Sequence, residues 1–430
     1  MSACKKIFQK KLMFFVLLYV GFMAVFIGFS TLVAALPHTG YMETNFRKSA
    51  IILFKEGTYP RHMFVGVDNC TDALVLNIAL GYQYSCNNPF SAAMQNIMHH
   101  KDPKNAFPEI ELLPFANAPG DKDAFHTSNY NRYFWGLSPV LKLFHYFAAL
   151  KTFYTIQGCI ATALAFILFS MLHKRFGWMK AAIYLVLLLT TQFYVWFHSL
   201  FFTPAFLLGM LTLLFCLRTS GKFLSKYEIF FINGMLFAYF DLLTTPLLAV
   251  MIPALFIVDE DFNKTAGKVS DWIKIFAGYP FFWFIGYVTS WGGKLIIADI
   301  YSGKFFSSMV NVIQRTSCDG ENVYTAQAYR WTGIISAFRE FFQLNRFMFI
   351  AIVAILAAGV LVSLFRKRFN NPAVAAGYAV YALAPVVFML IMTNHTIVHP
   401  WMTYRNIPLI LVSLLMALGT ILRKPDKTGE

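Results

Sequence analysis

The sequence predicts an all-α polytopic membrane protein, and three observations support this fold class. Of the 430 residues, 58% are hydrophobic and only 13% are charged, whereas soluble domains contain roughly 45–50% apolar and about 25% charged residues. Several apolar runs approach the length of about 20 residues that a helix needs to cross a membrane. Lys and Arg residues cluster beside these runs. This composition excludes an ordinary soluble enzyme and a disordered chain.

The first element is an apolar run from Leu12 to Leu36, which follows the basic segment MSACKKIFQKK. The run is too long for a secretory signal peptide and lacks the usual small-residue cleavage site. We therefore expect an uncleaved first span. Because basic flanks stay inside, the N-terminus is expected in the cytoplasm.

Residues 37–150 contain no further run that could cross a membrane and are rich in Asn, Asp, Pro, His and Gly. They are predicted to form a large folded loop on the extracytoplasmic side. In its last part, from Tyr133 to Leu150, aromatic residues alternate with Lys142 and His145 at near-helical spacing. This pattern predicts a helix in the membrane interface that leads into a second span, Thr152 to Leu172.

Eight more apolar runs follow, although several are shorter than a full crossing. When the runs are threaded alternately, every Lys/Arg cluster falls on the side of the N-terminus, as the positive-inside rule requires. The sequence thus predicts about ten spans, within two, and two cytoplasmic termini; the short runs between Glu228 and Val258 could instead form a re-entrant pair. The eight runs are Ala181–Phe197, Pro204–Leu217, Glu228–Phe240, Leu247–Val258, Ile275–Trp291, Phe347–Phe365, Ala373–Met392 and Ile407–Leu422.

Residues 292–346 form a second long segment that is predicted outside, within a single membrane domain covering residues 1–430. Long connections are usually functional, so we expect the active face on the extracytoplasmic side of the cytoplasmic membrane. The net charge of +15 would suggest nucleic-acid binding in a soluble chain. Here it is better explained by topology, so the expected partner is the lipid bilayer and not nucleic acid.

Two carboxylates in the first loop, Asp68 and Asp72, stand four residues apart at the front of an apolar helical pattern, where they would share one helix face. Asp68 or Thr71 could simply cap that helix. Alternatively, one carboxylate is a general base or a charge anchor whose pKa is tuned by low-dielectric surroundings. Glu43, shortly after the first span, is a further candidate.

Another stretch of the first loop places Arg132 among Tyr130, Trp135 and neighbouring aromatic residues. An aromatic belt with a snorkelling Arg would explain the pattern without any function. A recognition site would explain it equally, because Arg binds phosphate bidentately and aromatic faces stack on sugars or lipid chains.

A predicted outer loop near the C-terminus combines His395, His399, Tyr404 and Arg405. Two histidines four residues apart could share a metal ion, but a third ligand such as an Asp or His198 would be needed and no H-E-x-x-H motif is present. We therefore expect these histidines to form hydrogen bonds or to contact pyrophosphate, and we predict no metal site. A divalent cation is not indicated by any motif, and the cofactor requirement is left open.

Asp241 is predicted near the outer end of a span or in a membrane dip. An ionisable residue at that depth is costly, so it should pair or take part in function, and His198 is expected nearby. Among the six cysteines, Cys70 and Cys86 could form a disulfide, which would leave Cys318 unpaired outside.

The arrangement resembles the GT-C superfamily of integral membrane glycosyltransferases, which use lipid-linked sugars as donors. The resemblance covers nearly the whole chain: one N-terminal span, a large acidic first loop ending in an interfacial helix, a helical bundle, and basic and histidine residues on later outer loops. Three stretches, Asn69–Asp72, Tyr130–Gly136 and Asn394–Arg405, are similar to stretches of uncharacterised bacterial cell-envelope members. Many GT-C enzymes carry an acidic pair directly after the first span, where this chain has only Glu43.

The resemblance implies a GT-C-like bundle that moves a hexose or pentose from a polyprenyl-phosphate donor to a glycan, lipid or protein acceptor of the cell envelope. Arg405 or Arg132 would hold the donor phosphate, and Asp72 or Asp68 would deprotonate the acceptor hydroxyl. A transporter or flippase for a lipid-linked glycan is the alternative, and a non-catalytic envelope scaffold is a third possibility. The other candidates for substrate binding are Tyr130, Trp135, His198, Asp241, His395, His399 and Tyr404.

Overall fold

The computed structural model describes residues 3–85, 88–102, 107–218, 224–241, 245–302, 310, 330–366 and 370–422. Within these ranges the chain is mostly helical, and its β-structure consists of two short antiparallel pairs. The prediction of an all-α membrane protein is confirmed. The predicted Cys70–Cys86 pairing and the position of Cys318 involve residues outside the described ranges.

Helices dominate the chain from its start to its end, and the short strands lie between helices of the first loop. The helices are α1 (Ala3–Ala35), α2 (Gly40–Glu56), α3 (Asn69–Gly81), α4 (Pro89–Gln95), α5 (Pro108–Asn117), α6 (Leu137–His145), α7 (Leu150–Phe176), α8 (Trp178–Thr190), α9 (Thr203–Arg218), α10 (Lys226–Phe240), α11 (Pro246–Asn263), α12 (Val269–Trp272), α13 (Gly278–Ser302), α14 (Arg330–Arg366), α15 (Pro372–Ile391), α16 (Thr393–Val398), α17 (Pro400–Thr403) and α18 (Ile407–Leu422). The strands are β1 (Arg61–His62), β2 (Val65–Gly66), β3 (Ile97–His100) and β4 (His126–Asn129); β1 pairs with β2 and β3 with β4.

Six of the described helices are long and apolar enough to cross a membrane, so the prediction of about ten spans is wrong. The four runs between Ala181 and Val258 form α8 to α11 instead. The helices α8 and α9 have only 13 and 16 residues, or about 20–24 Å at 1.5 Å per residue, and α10 and α11 carry charged residues. The six candidate spans are Gln9–Ala35, Leu150–Phe176, Val269–Tyr301, Trp331–Phe365, Pro372–Ile391 and Pro400–Leu422.

The four shorter helices lie largely inside the protein. From Pro246 to Val258 the helix α11 is apolar around its whole circumference, with its charges confined to the C-terminal end, and it packs against α9; this is the pattern of a helix buried on all sides. The helices α10 and α13 lie in close contact. A Cβ atom at Gly234 of α10 would collide with the Trp283 carbonyl of α13, and a Cβ atom at Gly286 of α13 would collide with the Phe231 carbonyl of α10. Such glycine contacts permit close backbone approach in membrane bundles.

A layer of ion pairs joins the ends of several helices. The Arg175 guanidinium at the end of α7 lies 2.6 Å from the Glu260 carboxylate on α11. Lys180 of α8 pairs with Asp259 at 2.6 Å, and Lys226 of α10 with Asp261 at 2.6 Å. The C-terminal ends of α7 and α11 therefore lie at the same end of the bundle.

The first loop folds as a set of helices, α2 to α6, around an apolar core of its own that contains Phe46, Leu76, Phe115 and Trp135. The predicted helix before the second span is present as α6. Its Lys142 and His145 are fully buried and not on a solvated face. Two buried polar contacts of α6 explain this: Lys142 Nζ donates to the Ala34 and Leu36 carbonyls at 3.1 and 2.8 Å, and the His145 ring bonds to Ser49 Oγ at 2.9 Å. Carbonyls at a helix end are favourable partners for a cation.

The ends of the predicted second loop are helical. The helix α13 continues to Ser302, and α14 begins at Arg330. Apart from residue 310, the intervening chain lies outside the described residues.

Candidate functional site

Arg405 lies in a short 3₁₀ turn, Tyr404–Asn406, between α17 and α18, and its side chain is fully buried. Nη1 donates to the Trp401 carbonyl at 3.3 Å. Within the described part of the chain, Nε and Nη2 have no hydrogen-bond partner and the guanidinium forms no ion pair. The Glu340 carboxylate of α14 acts on Arg405 through space but is not among the ion pairs of the described residues, and a buried charge without a directly paired counter-ion is strongly unfavourable. The arrangement therefore favours an anionic ligand at Arg405.

Aromatic rings surround this guanidinium. Its carbon lies 3.8 Å from the centroid of Phe202 and 4.8 Å from that of Tyr404. Trp401 packs edge-on against Phe202 at 6.3 Å and contacts Tyr59 of the first loop at 5.0 Å. We call Arg405 and these four aromatic residues the Arg405 cluster. Such rings can stabilise a cation and offer flat faces to a sugar or a lipid chain.

A β-hairpin of the first loop, β1–β2, lies against the cluster. Gly66 packs on the Trp401 ring, where an added Cβ would come within 3.3 Å. The hairpin turn consists of Met63 and Phe64, both at positive φ, and Tyr194 Oη donates to the Met63 carbonyl at 3.0 Å. The first loop and the segment from α17 to α18 thus meet at one place.

Histidines lie on two sides of the cluster. His198 stacks on His62 of the hairpin, with ring centroids 4.2 Å apart. His395 and His399 lie 5.1 Å apart, and His399 packs edge-on against Trp401. Burial lowers the pKa of His395 to about 3 and that of His399 to about 4, so both rings are neutral at pH 7. Among the described residues, no group of three or more His, Cys, Asp or Glu side chains could hold a metal ion.

Asp68 is the N-cap of α3, which is one of the two roles that the sequence allowed. Oδ1 accepts a hydrogen bond from Thr71 N at 2.9 Å, and Oδ2 accepts one from Thr71 Oγ1 at 2.6 Å. Burial raises the pKa of Asp68 to about 6, although its bonds to Thr71 act in the opposite direction. Backbone bonds from Val67 N to the Pro60 carbonyl and from Asn69 N to the Thr58 carbonyl hold the Asp68 segment beside Tyr59, which belongs to the Arg405 cluster. Burial is the main cause of a raised pKa of Tyr59, and the Asp68 carboxylate adds to it.

Asp72 is fully buried and joins three elements. Its Oδ2 accepts hydrogen bonds from Tyr154 Oη on α7 at 2.6 Å and from Leu200 N at 2.9 Å. Its Oδ1 has no partner within the described residues. Burial raises its pKa well above the ordinary value. Because Leu200 lies two residues before Phe202, Asp72 fixes the segment that carries one wall of the Arg405 cluster.

Glu109 is a site residue that the sequence reasoning missed. It is buried on α5, accepts a hydrogen bond from Thr58 Oγ1, and has no partner for Oε2 among the residues described. It is also one of the charges that raise the pKa of Asp68. The only sequence signal was its place in the first turn of a helix that starts with Pro108, which is a common position for a surface Glu.

Arg132, Tyr130 and Trp135 form a second group with different contacts. The Arg132 guanidinium lies 4.2 Å from the centroid of Tyr130 and donates to Tyr130 Oη. Trp135 Nε1 donates to the Tyr130 carbonyl at 3.1 Å, and Trp291 Nε1 of α13 donates to the Arg132 carbonyl at 2.8 Å. These residues fasten the first loop to α13.

Asp241 follows α10 and is buried. The helix α10 is bonded to the chain directly after Trp135 of the second group, because Gly136 N donates to the Tyr239 carbonyl at 2.8 Å. His198 stacks on His62 of the β1–β2 hairpin, and its predicted proximity to Asp241 stays a prediction. The predicted substrate-binding residues are therefore divided between two groups.

Glu43 lies apart from both groups, in the first turn of α2. Its Oε1 accepts a hydrogen bond from Tyr84 Oη at 2.8 Å and lies 3.9 Å from His38 Nδ1. Lys294, which the sequence reasoning did not consider, is fully buried on α13 and donates to the Met94 and Asn131 carbonyls. It is another attachment point between the first loop and α13.

Comparison with protein-family models, with curated proteins and with solved structures finds no match for this chain. The chemistry of the site therefore has to follow from its own residues.

Proposed function

We propose that this chain is a GT-C-type membrane glycosyltransferase that moves a sugar from a polyprenyl-phosphate donor to a cell-envelope acceptor. The observation that supports the proposal is the buried Arg405 guanidinium, with two unpartnered nitrogens among the described residues, inside a cluster of aromatic rings. A donor of this kind combines the three features that the cluster suits: a phosphate, a sugar ring and an apolar chain.

In this proposal Arg405 binds the donor phosphate. The guanidinium offers donors in a planar fork that matches phosphate oxygens. Tyr404 Oη and His395 Nε2 are also buried without partners within the described ranges, and both can add hydrogen bonds near the phosphate. Trp401 and Tyr59 supply partly accessible ring faces for the sugar.

Asp68 is the carboxylate that best suits the role of general base. A pKa of about 6 leaves it mostly ionised at neutral pH while it is still basic enough to accept a proton. Asp72 is less suitable because its Oδ2 links two distant segments through Tyr154 and Leu200, whereas the bonds of Asp68 go to Thr71 of its own helix. We therefore assign to Asp68 the removal of the acceptor hydroxyl proton, and to Asp72 the positioning of the segment that carries Phe202.

We further propose that both termini are cytoplasmic and that the Arg405 cluster is extracytoplasmic. If the six candidate spans cross the membrane, the chain returns to the cytoplasm at the end of α7, after its second crossing. The ion pair of Arg175 with Glu260 places the end of α11 on the same side, so α8 to α11 add no net crossing. Arg175, Lys264 and Arg366 then all lie inside, as the positive-inside rule expects.

The decisive test is a complementation experiment in cells that lack this protein. Surface-glycan composition is compared after complementation with wild type, Asp68→Asn or Arg405→Met at equal membrane abundance. The proposal expects wild type alone to restore a missing sugar. A flippase also needs an anion site but no base, so full restoration by Asp68→Asn together with failure of Arg405→Met would replace the proposal with transport of a lipid-linked glycan.

A further inference from the structure

The helix α2 carries basic and aromatic side chains on one exposed face. Its other face is buried in the core of the first loop through Met42, Phe46 and Leu53. The exposed positions recur at intervals of three and four residues, which places them along one stripe of the helix. The exposed apolar and basic residues of this stripe are Tyr41, Arg47, Lys48, Ile51, Phe54 and Lys55. We call it the α2 outer face.

Contacts at two points fix α2 beside the ends of two candidate spans. It begins at Gly40, five residues after the first candidate span ends at Ala35. In its middle, Ser49 Oγ accepts a hydrogen bond from Leu150 N, the first residue of the second candidate span, at 2.9 Å. Near its start, Tyr41 Oη donates to the carbonyl of Phe147, three residues before that span. The start and the middle of α2 therefore lie beside the ends of both candidate spans.

The composition of the α2 outer face matches the boundary between lipid chains and headgroups. Aromatic and aliphatic side chains can enter the edge of the hydrocarbon layer, while Lys and Arg reach the headgroup phosphates. Two acidic residues of the helix are directed elsewhere: Glu43 bonds to Tyr84, and Glu56 accepts a hydrogen bond from Asn69. The charge that faces outward is thus mainly positive.

We propose that the α2 outer face binds anionic phospholipid headgroups of the bilayer and holds the first loop on the membrane surface. The proposal rests on α2 and on the two span ends, and it does not depend on the chemistry proposed for Arg405. A basic side chain close to an anionic surface contributes roughly a fivefold preference for it. Three such residues should give a measurable enrichment of anionic lipid at this face.

Photo-crosslinking in nanodiscs tests the proposal. The photoreactive analogue benzoylphenylalanine replaces Phe54 on α2 or, as the control, Phe107 before α5, because both side chains are 47% exposed. The helix α5 packs mainly against α2, α3 and β3 of the loop. The protein is placed in nanodiscs with equal amounts of phosphatidylglycerol and phosphatidylcholine and irradiated, and lipid adducts are identified by mass spectrometry.

The analogue at Phe54 should yield severalfold more lipid adducts than the analogue at Phe107, and phosphatidylglycerol should predominate. Adding Arg47→Gln, Lys48→Gln and Lys55→Gln should lower the ratio of anionic to zwitterionic adducts on the order of fivefold or more. Equal adduct yields at both positions would show that α2 does not lie on the membrane. Adducts that follow the bulk lipid ratio with or without the neutralising changes would overturn the headgroup selectivity.

Discussion

The guanidinium carbon of Arg405 lies 3.8 Å from the ring centroid of Phe202, so a buried positive charge faces an aromatic ring and is not ion-paired with any carboxylate among the described residues. A cation–π contact of this kind contributes about 2 kcal/mol when it is desolvated. That is less than the several kcal/mol that burial of a lone charge costs. The free protein therefore carries an unfavourable site that an anion would relieve.

Replacing Arg405 by Met should separate binding from stability. Without ligand, Arg405→Met should leave the thermal midpoint unchanged or raise it, because replacement of buried ionic groups by apolar residues of similar volume is often neutral or stabilising by about 1–4 kcal/mol. Polyprenyl phosphate at about a hundredfold excess over its Kd should stabilise wild type by about 2.7 kcal/mol and should have no effect on the variant. Thermal unfolding in detergent, with and without this lipid, measures both. Equal stabilisation of the two proteins would remove Arg405 from the phosphate site.

Asp68→Asn should lower the transfer rate about 10²- to 10⁴-fold, the usual contribution of a general base. The free energy of unfolding should change little, because Asn is an equally good N-cap for α3. The comparison is Asp72→Ala, which removes the acceptor for Tyr154 and Leu200 and should destabilise the fold by about 3 kcal/mol. Sugar transfer and unfolding are measured on the same preparations. A fully active Asp68→Asn protein would contradict the assignment.

The pH dependence of kcat/KM should show a rising limb near pH 6, because Asp68 must be ionised to accept a proton and its pKa is raised to about 6. The same raised pKa lowers the stability of the folded state as the pH rises, whereas it makes the rate increase. It stabilises the folded state below the ordinary pKa of 3.8, and that contribution is lost as the pH rises through 6. A rate profile that is flat between pH 5 and 8 would exclude Asp68 as the base.

Acid should destabilise the first loop through His145. Burial lowers the pKa of His145 from 6.5 to about 4, so the unfolded chain binds more protons between these values and stability falls as the pH drops from 6.5 to 4. The loss should approach about 3 kcal/mol. Thermal midpoints at pH 7 and pH 5 are compared for wild type and His145→Asn, with His126→Asn on exposed β4 as the control. An unchanged pH dependence in His145→Asn would assign the acid sensitivity to other groups.

The contact of α10 with α13 should be sensitive to a single methyl group. A Cβ atom at Gly286 would collide with the Phe231 carbonyl, whereas one at Gly292 on the same helix would meet nothing within 4 Å. Gly286→Ala should therefore cost about 1–3 kcal/mol, while Gly292→Ala should be neutral or slightly stabilising. Thermal unfolding in detergent distinguishes the two. Equal midpoints would mean that α13 can move away from α10 without cost.

The sequence sufficed for the elements whose signal is local. The long apolar runs predicted α1 and α7, and the short polar residues before an apolar pattern allowed either Asp68 or Thr71 as the cap of α3, which is Asp68. The error lay in α8 to α11, since hydropathy alone cannot distinguish a short helix inside the bundle from a helix that contacts lipid. Because four is an even number, the loss of these four crossings does not change the side predicted for each basic cluster, and that side stays a prediction.

In the candidate site too, the sequence predicted residues with a local pattern but not the distant residues that pack against them. His395, His399, Tyr404 and Arg405 are close in sequence, so one pattern found them together. Their partners come from elsewhere: Tyr59 from the first loop and Phe202 from the segment before α9. Neither has a local signal, because an aromatic residue in such a chain is usually part of the core or of an interfacial belt. Only the packing of distant segments brings them to Arg405.

The β1–β2 turn contains residues that lower the stability of the fold and expose large apolar side chains. A two-residue turn with positive φ at both positions is best filled by Asn-Gly, yet here Met63 and Phe64 occupy it and are 71% and 82% exposed. Each bulky residue costs about 1–2 kcal/mol in this backbone region. Met63→Asn with Phe64→Gly should therefore give a more stable protein. The native turn therefore lowers the free energy of unfolding and leaves two large apolar side chains exposed. They directly follow His62, whose ring stacks on His198.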